Sequence, residues 1–409
     1  MLHFPTWKVV AIVLTCLAGL IGTAPNLIGK ERLAALPDWL PKAQIPLGLD
    51  LQGGVHLVLE MNVEELRKSW YDQLMDDTRK ILREAKVASP SITQTGKQIV
   101  VKLAAPADAD KVLPELRKMI QSIGGIGFGG MGGGDLDVRR DGTTITIEPT
   151  EAGLTQRITA GMGTAIETIR RRVDELGTSE PNIVRQGQDR IVVQVPGYND
   201  PEELKRIIGT TAKLTFQFVH AEYSPRAPLS AQEVRQMQIP AGSVAICSKD
   251  RLAETGNSGC IKDKPSPTDH FEIIERRVIV NGEELVKANL GQDQNGRPMV
   301  EFRFNQVGAR KFGKATQENV GRRFAIVLDN SVVSAPVIQS AILGGSGQIT
   351  GNFTTKSANE LAVLLRSGAL PASLTIVEER TVGPSLGADS IKAGKFATYV
   401  AFAAVAAFM

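Results

Sequence analysis

The chain has 409 residues, 42% hydrophobic and 22% charged, the balance of a globular protein with material for two or three domains. Its formal net charge is only +3, and no long Lys/Arg tract supplies the basic patch that a nucleic-acid surface needs, so nucleic acid is not an expected partner. The four histidines, His3, His56, His220 and His270, are scattered and give the three cysteines no metal-ligand company.

The N-terminal region is different in character. Val9 to Ile28 is an uncharged apolar run bracketed by Lys8 and Lys30. It approaches the roughly 20 residues that span a bilayer. Residues 1–30 therefore read as an uncleaved membrane anchor. The alternative is a secretory signal peptide, with Val9–Gly22 as its core and Gly22-Thr23-Ala24 as a cleavage-like site.

Beyond a Pro-bearing connector at 37–46, Leu57-Val58-Leu59 reads as a short buried strand. Asn62, with Glu65 three positions on, opens a helix whose apolar face is Val63, Leu66, Trp70, Leu74, Ile81 and Leu82. Two later stretches repeat one plan of strand, Pro-bearing turn and acidic helix start. One is Ile99–Leu103 with Pro106 and a helix through Leu113, Leu116 and Ile120; the other is Ile191–Val195 with Pro196 and a helix through Leu204, Ile207 and Ile208. Asp200-Pro201-Glu202-Glu203 makes the second start plain. Between them, Leu154, Ile158, Met162, Ile166, Ile169, Val173 and Leu176 recur at helical spacing, and Gly177 ends the run. These units predict an α+β protein of sheets backed by helices.

Leu214–Val219 reads as a strand, and residues from Ala221 to about His270 as a loop-rich insertion. Within it, Cys247 and Cys260 stand 13 positions apart. Paired in an oxidising compartment they would add about 3 kcal/mol of stability; otherwise they are two thiols. Strands return at Val300–Phe304 and Phe324–Leu328, and Asp329-Asn330 is a hairpin turn into Val332-Val333. Ser357-x-x-Glu360 reads as a capping box for a helix ending at Gly368, and Leu374–Val377 as a last strand. Phe396–Met409 is again apolar and uncharged, and stops well short of a bilayer's thickness. It is expected to be the start of a second transmembrane helix, so that a water-soluble body is held between two membrane segments.

Few motifs suggest chemistry. Gly125-x-Gly127-x-x-Gly130 fits a dinucleotide fingerprint as a string, but a helix precedes it and a strand, Asp137–Ile147, follows, which is the wrong context; a flexible loop is expected. No Ser/His/Asp or Cys/His set stands out, so no catalytic, cofactor or metal residues are expected. Gly344-Gly345-Ser346-Gly347 and Gly383-Pro384-Ser385-Leu386-Gly387 are backbone signals, either tight turns or hinges.

Several blocks, in order, resemble the SecD family of the SecD/SecF translocase subunits, which is related to the resistance-nodulation-division transporters. They are Leu47-Gly48-Leu49-Asp50-Leu51-Gln52-Gly53-Gly54, then Arg172–Pro181 with Arg190–Gly197, then 305–309, 324–336, 347–354 and 381–394. The signature positions include Leu49, Asp50, Gly53, Gly54, Leu176, Gly177, Pro196, Gly197, Gly383, Pro384, Ser385 and Gly387. Gln52 departs from the pattern, since many members carry Arg there.

The resemblance implies a ferredoxin-like periplasmic base with an inserted head. On this reading residues 31–220 hold the base and an additional module at 61–150, residues 221–345 the head, 346–395 the return to the base, and 396–409 the second span. It implies a bacterial inner-membrane protein, multi-pass at full length, that binds unfolded preproteins with SecF, YajC and the SecYEG channel. The complex would draw on the proton-motive force, through an acidic residue in a later membrane helix. His220, Tyr223, Gly344, Gly345 and Gly347 are the candidate joints of the head. A small-molecule transporter subunit of the same superfamily, or a secreted hydrolase or binding protein, are the other readings.

Overall fold

In a computed structural model, the described residues are 49–408, except 89, 124–133, 178–180, 199, 224–227, 249–269 and 383, together with most of 5–19. They form two units, residues 1–54 with 382–409, and residues 55–381. In the first, the short helix α1 (Leu49–Gln52) packs with α9 (Pro384–Phe408). The expected first span lies largely outside the described residues. The apolar 396–408 segment forms the end of α9, and no described helix is long and apolar enough to cross a membrane.

The second unit is built on a four-stranded sheet of order β17-β1-β7-β6. Its strands are β1 (Gly54–Met61), β6 (Asn182–Gln186), β7 (Arg190–Pro196) and β17 (Leu374–Val382). Helices α4 (Glu151–Glu175) and α5 (Pro201–Gly209) complete a βαββαβ chain order around it. The alternation Ile191, Val193, Val195 along β7 is fully buried beneath Met162, Ile169 and Val173 of α4 and Leu204 and Ile208 of α5. Each helix is capped by the residue that its sequence suggests. Thr150 accepts from the Gly153 N–H, and Asp200 from the Glu203 N–H at 3.0 Å, with Pro201 in the first turn.

Two bodies are inserted into this frame. The first follows β1. It runs α2 (Val63–Glu84), β2 (Ser91–Thr95), β3 (Gln98–Lys102), α3 (Pro106–Arg117), β4 (Leu136–Asp141) and β5 (Thr144–Pro149). Its sheet, β2-β3-β5-β4, is antiparallel throughout. Helix α2 serves two cores: Leu66 joins the core over β1, while Trp70, Tyr71, Leu74 and Leu82 pack on Ile99, Val101, Ile145 and Ile147. The single strand expected across 137–147 is a hairpin, because Gly142 at φ +59 takes the left-handed backbone that a turn requires.

The second body, the inserted lobe, leaves the frame after α5 and returns before β17. It contains β8 (Leu214–Val219), β9 (Leu229–Ser230), α6 (Ala231–Gln236), β10 (Ser243–Ser248), β11 (His270–Asn281), β12 (Leu285–Gln292), β13 (Pro298–Phe304), α7 (Gln306–Glu318), β14 (Phe324–Leu328), β15 (Ser331–Ser334), β16 (Ser346–Ile349) and α8 (Thr355–Ser367). The 221–248 stretch that reads as loop thus holds a helix and two short strands; the helix rests on a reciprocal Ser230–Glu233 cap. Strand β10 pairs antiparallel with β11 and parallel with β15, so β8, β11, β10, β15 and β14 close on themselves. Ile246, Ile273, Ala325, Val327 and Val332 belong to one core cluster there. A second sheet, β12-β13-β16, packs with α7 and α8 into another core that shares β8 and β14 with the barrel. Covered on both sides, β14 is buried at every position, which explains its unbroken Phe-Ala-Ile-Val-Leu sequence.

Strand β16 and α8 lie past the boundary at 345 expected from sequence, and both pack with the lobe's second sheet. Helix α8 also starts earlier than expected. Thr354, not Ser357, is its N-cap; the Thr354 hydroxyl accepts from the Ser357 N–H and Ser357 Oγ from the Thr354 N–H at 2.9 Å. Glu360 is thereby left to pair with Arg206 of α5 at 2.6 Å.

Ile147 is almost wholly buried in the first inserted body. Ile147→Ala should destabilise that body by about 2–5 kcal/mol. Urea unfolding followed by the fluorescence of Trp70, in the same core, would register it; a loss below about 0.5 kcal/mol would contradict this core assignment.

Candidate functional site

Six phenylalanines gather where the lobe's two sheets meet. Phe216 and Phe218 come from β8, Phe302 and Phe304 from β13, Phe312 from α7 and Phe324 from β14. In each strand the pair is two residues apart, which puts both rings on one face. Phe216 lies 5.4 Å from Phe302, 5.1 Å from Phe304 and 6.0 Å from Phe324 between ring centroids, and Phe218 lies 4.9 Å from Phe324. The tilted and edge-on pairs have the geometry that aromatic quadrupoles favour, each worth about 0.5–1.5 kcal/mol beyond area burial. Beyond Phe218, the Arg322 guanidinium carbon stands 4.6 Å from the ring centroid.

Four of these rings, Phe216, Phe302, Phe312 and Phe324, floor an apolar cleft of about 300 Å³. Its far wall is formed by Pro336–Ser340 and Ile342 of an irregular strap, residues 335–345, and its rim is β16. The strap is fastened at both ends. Ile338 N–H donates to the Arg322 carbonyl at 2.9 Å and its own carbonyl accepts from Gly321, while Ile342 N–H donates to Thr316 Oγ1 at 3.0 Å. Ile338 is anchored inside, but Val337 is 51% and Leu343 70% exposed. Among the described residues strand β16 is paired only with β13 and forms the sheet's edge, with Gly347 and Gln348 lining the cleft. A Cβ on Gly347 would lie 2.5 Å from Phe302 Cζ, so glycine is what lets this edge strand lie directly on the ring. Apolar floor, exposed aliphatic rim and an open strand edge together make a surface that can hold an extended chain by main-chain pairing and apolar side chains.

Charges are organised around this site rather than in it. Arg323 grips Glu272 with both terminal nitrogens, at 2.9 and 2.5 Å, and its Nε donates to the Ala335 carbonyl, where the strap begins. Arg322 pairs with Glu275 at 2.5 Å.

The joints expected from sequence lie within the lobe. His220 follows β8, its ring 5.8 Å from that of Tyr223, and Tyr223 is buried in the barrel core. Gly344 and Gly345 form the turn into β16; Gly345, at φ +64, accepts from the Phe304 N–H at 2.8 Å. The chain passes between frame and lobe elsewhere, at 210–213 and 368–373.

None of the described signature residues lines the cleft; they lie in the helices α1 and α9 and at turn or cap positions. Leu49 and Asp50 lie in α1, and Gly53 and Gly54 turn the chain into β1. Leu176 caps α4 and Gly177 follows at φ +71. Pro196 ends β7 before Gly197, at φ +72. Pro384, Ser385 and Gly387 lie in α9, and Gly383 outside the described residues. Cys247, on β10, is disulfide-bonded, and Cys260 lies outside the described residues.

Two family models match this chain. The model described as SecDF, P1 head subdomain, covers residues 260–372, and that described as Protein translocase subunit SecDF, P1 domain, N-terminal, covers 162–221. Protein translocase subunit SecD of Rhodobacter capsulatus is 37% identical over all of this chain and 74% of its own length. The SecD of Acetobacter pasteurianus is 37% identical over all of this chain and 72% of its own. A crystal structure of SecDF in a super-membrane-facing form aligns with TM-score 0.50 and 26% identity over 94% of this chain, which spans 38% of that longer chain.

Gly347→Val should force β16 off Phe302 at a cost of about 1–3 kcal/mol, as overpacking does, and block the cleft. Denaturant melts and the fluorescence of an apolar dye would show lower stability together with reduced dye binding. Unchanged dye binding in the folded variant would remove Gly347 from the cleft wall.

Proposed function

This chain belongs to the SecD family of protein translocase subunits, and we propose that its lobe holds unfolded segments of exported polypeptide in the phenylalanine cleft. The observation that carries this reading is the pairing of that cleft with an open strand edge. Main-chain groups on β16 offer affinity without regard to sequence, and the apolar floor favours segments that have not yet buried their own side chains. A small-molecule site is usually enclosed and carries a few convergent polar groups.

The head-subdomain match to 260–372 supports reading the whole lobe between the two crossings as the head, with residues 61–150 as an additional module on the base. The base is then the ferredoxin-like βαββαβ frame. We place the body in the periplasm, held to the bacterial inner membrane by anchors at 1–30 and from 396 onward. The bonded sulfur of Cys247 supports an oxidising compartment, with Cys260 as its proposed partner. SecF, YajC and the SecYEG channel are the proposed partners. Use of the proton-motive force is proposed for the full complex.

Photo-crosslinkers at Val337 and Leu343, in membranes carrying an exported precursor stalled in transit, should yield precursor adducts. One at Val184, an exposed position on the base edge strand β6, should yield few. Ile342→Asp should lower the adduct yield, since it places a charge in the apolar cleft. Equal adducts at all three positions, or none at the first two, would refute the cleft as the holding site.

A further inference from the structure

Arg172 is a wholly buried guanidinium at the junction of base and lobe. It stands on the apolar stripe of α4, three residues after Ile169. Its Nη1 donates to the carbonyls of Ile207 at 2.8 Å, Ile208 at 3.3 Å and Thr210; Nη2 donates to Thr211 at 3.4 Å and Gly368 at 3.1 Å. Ile207 and Ile208 lie in the last turn of α5, and Gly368 is the C-cap of α8. One cation therefore caps the C-terminal ends of two helices, where carbonyls lack partners and the helix dipole is negative. One helix leads out to the lobe and the other leads back. Desolvation by burial pushes the guanidinium down to about 10, and nearby Asp329 acts the other way.

Asp329 grips the same crossing from the lobe side. It stands at the tip of the β14–β15 hairpin, in the left-handed region at φ +48. Its carboxylate accepts from the Thr211 hydroxyl, the Ala212 N–H at 2.9 Å and the Lys213 N–H at 2.8 Å. The two crossings are also tied to each other, since Leu370 N–H donates to the Thr211 carbonyl at 2.8 Å. Around this centre, Arg366–Glu175 at 2.7 Å and Lys356–Glu203 at 3.3 Å join α8 to the base. These are partly exposed pairs, which contribute little and can re-form in other geometries.

We propose that Arg172 and Asp329 form a two-sided latch that gives the lobe a discrete seat on the base, so that the lobe moves by emptying this seat in one step and not by bending through it. The reason is the cost of the half-open state. A guanidinium that lost the Thr210, Thr211 and Gly368 carbonyls while still covered would be a buried charge without partners. Positions midway are therefore less favourable than either end. Lysine cannot substitute, because its three donors radiate from one point and cannot span carbonyls from two helix ends as a planar fork does. The latch is independent of what the lobe binds.

The test uses the full chain with fluorophores at Val184 on the base and Val286 on the lobe, placed through non-canonical amino acids to spare the cysteines. Wild type should give one transfer efficiency in single molecules. Arg172→Lys and Asp329→Asn should each add a second, resolved population, and amide exchange at Ala212, Lys213 and Leu370 should accelerate at least tenfold. Exchange at Ile191 and Val193 in the base core should not change. If Arg172→Lys does not fold, Asp329→Asn, which removes only the lobe-side grip, carries the test. A single unshifted population with unchanged exchange overturns the latch, and so does a smooth broadening of the wild-type peak.

Discussion

A charge far from water holds this molecule's parts together. The frame sheet, β17-β1-β7-β6, is interrupted twice, and the larger interruption leaves and returns beside Arg172. An apolar side chain there would fill the space, yet it would leave the carbonyls at two helix ends without donors. The guanidinium satisfies them together, and only when both crossings are in place. Placement of the lobe, and with it the orientation of the phenylalanine cleft, follows from that requirement.

The cleft is a by-product of layering. Strands β8 and β14 serve the barrel on one side and the second sheet on the other, and toward the second sheet both present large apolar side chains: Leu214, Phe216 and Phe218, and Phe324, Ile326 and Leu328. Where the layers diverge, between the Phe302 and Phe324 rings and the strap, the space is not filled from within.

Much of the fold was legible in the residues. The stripe from Leu154 to Leu176, the Asp200–Glu203 cap and the Asp329-Asn330 turn all became the elements that their local chemistry dictates, since each depends on neighbours within four positions. Residues 221–248 were less legible, because α6 is held by one capping box and the two short strands by pairing with distant segments. Arg172 was hidden in Arg170-Arg171-Arg172, a run that reads as solvated helix surface; only its spacing from Ile169 and Leu176 puts it on the buried stripe. The cleft had a partial signal in the i, i+2 pairs Phe216/Phe218 and Phe302/Phe304, but their meeting is a matter of topology. The glycines near 344–347 read as tight turns or a joint; Gly344 and Gly345 form a turn, and Gly347 answers a close approach to Phe302.

The nesting of the chain also sets an order of assembly. Glu65, just after the first strand of the frame, accepts hydrogen bonds from Ser373, 308 positions later. The frame sheet cannot be completed until β17 (Leu374–Val382) has been synthesised. Loop-closure entropy grows only with the logarithm of loop length, so the delay is mainly kinetic. Each inserted body has a core of its own and can fold while β1 still waits for its outer neighbour. During that interval β1 presents an unpaired apolar edge, a transient liability best kept short by rapid folding of what lies between.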